Sequence, residues 1–91
     1  MNQTHEQVIN KTDLHFFRYC QDLYGINRGV YNTIEQWFYN KDILNIVDRR
    51  KYILCFLEFV YGNEKGDGKF GKEGLVNKLK RFWERLDTQM E

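Results

Sequence analysis

An all-α fold, one compact single domain of four to five helices, is what this sequence predicts, and three observations carry it. Leu75, Val76, Leu79, Phe82, Trp83 and Leu86 recur at i, i+1, i+4, i+7, i+8 and i+11, a single apolar stripe, while Lys78, Arg81 and Arg85 fall on another face. No stretch alternates apolar and polar residues over a useful strand length. Gly25, Asn40 and a Gly-rich segment interrupt the apolar patterns at helix-like intervals, in a 91-residue chain with no proline to force a break.

Thr4 and Gln7 have the spacing of a capping box and open a first short helix. Thr12 and Asp13 offer a second start, after which Leu14, Phe16, Phe17, Cys20, Leu23 and Tyr24 form an apolar stripe at helical spacing. Gly25 ends that helix, because a residue without a side chain reaches positive φ without a steric clash. Asn27 caps a third helix, whose apolar side is Val30 or Tyr31, Ile34, Trp37 and Phe38. Past Asn40, Ile43, Leu44, Ile46 and Val47 supply a further helical turn or two, and Asp48 caps a longer segment from Arg49 to Tyr61. Gly62 to Gly74, with five glycines in thirteen residues, is a loop by composition before the last amphipathic helix. That helix is expected to pack back over Tyr52 to Tyr61.

Composition narrows the function classes. Net charge is +1, far below that of a strongly basic nucleic-acid binder, although Lys65 to Arg85 carries seven cations against Asp67, Glu73 and Glu84. Seven Phe, six Tyr and two Trp give a small chain large apolar side chains with which to fill its core. The chain has no serine and so no serine nucleophile. Cys20 and Cys55 both lie in apolar runs and read as buried, reduced thiols, which argues against a cysteine nucleophile. With His5 and His15 they match no zinc spacing, so no metal and no cofactor is expected, and the chain reads as a non-enzyme. Glu58, amid Phe56, Leu57, Phe59 and Val60, is expected to face solvent. The polar Met1 to Asn10 segment is no signal peptide, and Tyr52 to Tyr61 is too short to span a bilayer. A cytoplasmic protein with no membrane partner is expected. The bias towards Asn, Lys, Ile, Tyr and Phe, with no alanine, suits translation from AT-rich DNA of a low-GC bacterium, phage or plasmid.

Phe17 to Trp37 combines a helical run, a glycine turn at Gly25, an apolar turn residue Ile26, and a second helical run from Arg28. This stretch resembles the helix-turn-helix motif of bacterial and phage regulators. The resemblance implies that Cys20, Tyr24, Tyr31 and Ile34 join the two helices, and that Asn27, Arg28, Asn32, Thr33 and Gln36 are exposed for recognition. Gln21 and Tyr31 depart from the small and branched aliphatic residues usual at their positions. Arg pairs with guanine and Asn or Gln with adenine, so Arg28, Asn32, Thr33 and Gln36 are candidate DNA contacts, with Arg49 and Arg50 on phosphates. The expected function is a DNA-binding regulator, with homodimerisation left open. The alternative is a small helical protein, of phage anti-defence or inhibitor type, that binds another protein through Tyr31, Trp37, Phe38, Lys65 and Lys69.

Gly62 to Gly74 also resembles an EF-hand loop locally, with Asn63, Asp67, Gly68 and Phe70 at matching positions. Lys65 at the third position and Gly74 at the twelfth remove the oxygen ligands calcium needs, so a connector is the favoured reading.

Overall fold

The computed structural model describes residues 5–62 and 72–89. Among them are five helices and no strand: α1 His5–Ile9, α2 Asp13–Tyr24, α3 Arg28–Asn40, α4 Ile46–Tyr61 and α5 Lys72–Gln89. Thr4, and residues 63–71 of the calcium-like loop with Lys65 and Lys69, lie outside the described residues, while Lys72 to Gly74, expected in that loop, already belong to α5.

Local chemistry sets most helix ends. Thr12 caps α2, its Oγ1 accepting from the His15 amide at 3.2 Å. Gly25 closes α2 at φ 72°, where its amide donates to the Gln21 carbonyl at 2.8 Å. Asn27 caps α3 through Oδ1, which accepts from the Val30 amide at 2.8 Å. The start of α4 differs from expectation. Asn45, not Asp48, is its cap, accepting from the amides of Val47 and Asp48. Ile46 and Val47 therefore belong to α4, and Ile43 and Leu44 lie in a non-helical link. That link turns at Asp42, a non-glycine residue at φ 66°.

The core takes one stripe from each helix: Val8 and Ile9, then Phe16, Phe17, Cys20 and Tyr24, then Tyr31, Ile34 and Phe38, then Ile53, Leu54, Phe56, Leu57 and Tyr61, then Leu75, Leu79 and Phe82. α4 runs through the middle, against α1, α2, α3 and α5. The expected return of α5 over α4 is present, with Phe82 in ring contact with Phe56 and Phe59. Leu14 and Leu23, expected on the apolar stripe of α2, are exposed. Cys55, expected to be buried, is exposed, while Cys20 is fully buried.

Candidate nucleic-acid interface

α3 carries most of the candidate contacts and presents them as a surface. Its buried side is Tyr31, Ile34 and Phe38, seated mainly on α4 and α5. The opposite side follows from helical spacing: Arg28, Asn32, Gln36 and Asn40 are each four residues apart, and Thr33, Trp37 and Lys41 form the adjacent row. Asn32, Thr33, Gln36, Trp37 and Asn40 line one shallow, open depression. Thr33 Oγ1 donates to the Gly29 carbonyl at 3.0 Å, and Gln36 Nε2 donates to Asn40 Oδ1 at 3.1 Å.

Each end of this face carries a cation held against aromatic rings. Arg28 Nη2 donates to Asp13 Oδ2 at 3.1 Å, and its guanidinium lies 4.7 Å from the Phe17 ring centroid. The Tyr31 hydroxyl donates to the other oxygen of the same carboxylate at 3.3 Å. Burial first, and the Glu35 and Asp13 carboxylates second, push the Tyr31 phenol well above its ordinary range, so it remains a donor. At the far end, Lys41 Nζ lies 4.9 Å from the Trp37 centroid and 5.9 Å from that of Trp83. The two indoles meet edge to face at 5.8 Å.

Arg28, Asn32, Thr33 and Gln36 are thus brought together on one helix face. Arg49 and Arg50 are not with them. Both are buried, at 8% and 5% exposure, and both guanidiniums serve the fold. Arg49 Nη1 donates to the carbonyls of Ile43 and Leu44, and Arg50 Nη1 to those of Ile9 and Lys11. This corrects their expected role as phosphate contacts, because carbonyls left open at loops and helix ends need donors and these arginines supply them. Tyr31 and Phe38, expected as exposed aromatic anchors, are 1% and 0% exposed and belong to the core. Trp37 is half-buried and borders the depression.

Sequence reasoning missed Asn40 and Lys41. Asn40 reads in the sequence only as a pattern break, yet it lies twelve residues, or three spacings of four, beyond Arg28 and lines the same depression as Asn32 and Gln36. Lys41 follows Asn40 as the cap residue of α3. Among the described residues no group of three or more His, Cys, Asp or Glu could hold a metal ion, and no helix is long and apolar enough to cross a membrane.

No protein-family model and no solved structure matches the chain. A curated protein, the RNA-binding riboflavin kinase RibR of Bacillus subtilis (strain 168), is 48% identical over 80 residues, covering 84% of this chain and 35% of the relative. The chain therefore spans about a third of the length of that relative. The relative is named for RNA, which corrects the expected DNA-binding regulator and gives the phage-inhibitor alternative no support.

Proposed function

We propose that this chain is an RNA-binding domain and that α3 carries its contact surface. The observation that carries this reading is its similarity to a protein named for RNA binding, of which it spans only a part. We attribute the kinase activity in that name to the part of the relative outside the matched 80 residues. The surface of α3 supports the reading chemically. Arg28, Asn32, Thr33, Gln36 and Asn40 supply a guanidinium, a hydroxyl and carboxamides on one exposed face, and Lys41 closes the row. These groups suit phosphate oxygens, ribose hydroxyls and base edges.

The test is fluorescence anisotropy of labelled RNA and of DNA of the same sequence, titrated with the full chain across a salt series. RNA is expected to bind more tightly than DNA, with affinity falling as salt rises. Asn32→Ala is expected to weaken RNA binding and to leave thermal unfolding nearly unchanged, whereas Arg28→Ala, which also removes the Asp13 ion pair and the contact with Phe17, is expected to weaken binding at a stability cost of about 1 kcal/mol or less. No binding to any RNA at low salt would remove the reading.

A further inference from the structure

We infer that the depression on α3 takes an unpaired stretch of RNA, with a base stacked on Trp37. The inference rests on the RNA-binding reading and narrows it to one class of RNA.

The lining is rich in carboxamides. Asn32, Gln36 and Asn40 stand four residues apart along the depression. The Gln36–Asn40 bond uses one Gln36 N–H and the Asn40 carbonyl, so the pair still carries a Gln36 acceptor beside an Asn40 donor. Such a pair matches the edge of a base. In an A-form duplex the Watson–Crick edges are consumed by pairing and the Hoogsteen edges lie in a deep, narrow major groove that side chains cannot read, whereas an unpaired base displays both.

An indole borders the same depression. Trp37 is wedged edge to face against Phe38 at 5.4 Å and against Trp83 at 5.8 Å, which fixes its orientation. A ring held this way is the stacking platform that single-strand binders use for bases of any identity.

The cations are few and stand at the ends. α3 has 13 residues and so a length of roughly 20 Å. Lys41 sits at one end over Trp37, and Arg28 at the other is shared with Asp13. Duplex binders contact two successive minor grooves and the phosphates of the major groove between them, a span of about 16 base pairs. Two terminal cations around an amide- and indole-lined centre fit a single strand instead.

The experiment uses the full chain with an unstructured labelled RNA of about twelve nucleotides, within the usual range of single-strand sites, and the same RNA annealed to its complement. The single strand is expected to bind about tenfold tighter and to quench indole emission, as stacking requires. Its log–log salt slope is expected near roughly −1.4, for two phosphates at about −0.7 each. Trp37→Leu removes the aromatic platform and leaves Trp83 as the sole indole; it is expected to keep the helical circular dichroism, weaken single-strand binding about tenfold and abolish most of the quenching. Because Trp37 packs partly on the core, Gln36→Ala and Asn40→Ala, both at exposed positions, serve as the second test and are expected to weaken binding at unchanged Tm. Duplex binding as tight as single-strand binding, or unaltered binding in all three variants, overturns the inference and leaves the RNA reading standing. Failure of both RNA forms to bind overturns the RNA reading itself.

Discussion

Arg50 on α4 donates to the carbonyl of Ile9, the last residue of α1, across a distance of 2.7 Å and 41 positions of sequence. The same nitrogen reaches the Lys11 carbonyl at 2.8 Å, and the guanidinium lies 5.1 Å from the Phe16 ring centroid. One side chain thus ties α1, the α1–α2 link and α2 to the central helix.

Removing that tie is expected to be costly. Arg50→Met strips two carbonyls of their charged donor and is expected to lower stability by about 2–4 kcal/mol. The exposed neighbour Lys51, changed to Ala, is expected to stay within about 0.5 kcal/mol. Urea denaturation of both variants checks the contrast, and equal stabilities would mean that the Arg50 bonds do not hold the fold.

The sequence could not show this. Arg49, Arg50 and Lys51 look alike as a cationic run, and only the loop carbonyls brought near by the tertiary fold separate them. The same limit applies to α4 as a whole. Its apolar run from Tyr52 to Tyr61 is nearly continuous, so nothing in it distinguishes the exposed Cys55 from the buried Leu54 and Phe56. Where the pattern was periodic, as in α3 and α5, the buried face was legible. So were the caps Thr12, Gly25 and Asn27, because their signals are local. The α3 depression was legible in part. Asn32, Thr33 and Gln36 are marked by their residue type and by the resemblance to a helix-turn-helix, whereas Trp37 reads as part of the apolar side, and its place at the depression, in contact with Trp83, is visible only in the fold.

The two thiols are expected to behave differently. At pH 8 in native buffer, a thiol reagent is expected to modify Cys55 and spare Cys20, with both reacting in denaturant. Burial pushes the Cys20 thiol up to about 12, against a partial opposing pull from Arg50. Burial and then Glu58 raise Cys55 as well, but it stays accessible. Mass spectrometry of peptides after brief labelling assigns the modified site.

Alkaline pH is expected to destabilise the fold. Burial, followed by Glu58 and lesser neighbours, also pushes the Tyr24 phenol up to about 12. For Cys20 and Tyr24 the folded state holds the proton more tightly than the unfolded chain. Their contribution is therefore complete below the ordinary thiol and phenol range, about 8.5 to 10, and is lost as pH rises towards about 12. The denaturation midpoint should fall steadily above about pH 9, and Cys20→Val should flatten the first part of that fall.

At the α2–α3 junction, Gly25→Ala is expected to cost about 1–2 kcal/mol, since its φ of 72° places a side chain in the left-handed region. Asn27→Ala is expected to cost about 1 kcal/mol through the lost cap. Thermal unfolding of each single variant measures both effects.

The clasp between Arg49 and the carbonyls of Ile43 and Leu44 has a kinetic consequence. With Asn27 closing the other end of α3, the helix is fixed at both flanks before any partner arrives. Its side chains are displayed in advance, so association bears little entropy of ordering a segment. Encounter should therefore proceed as the docking of a rigid surface, with the rate of capture set by diffusion and orientation and any slow step belonging to the partner's own rearrangement.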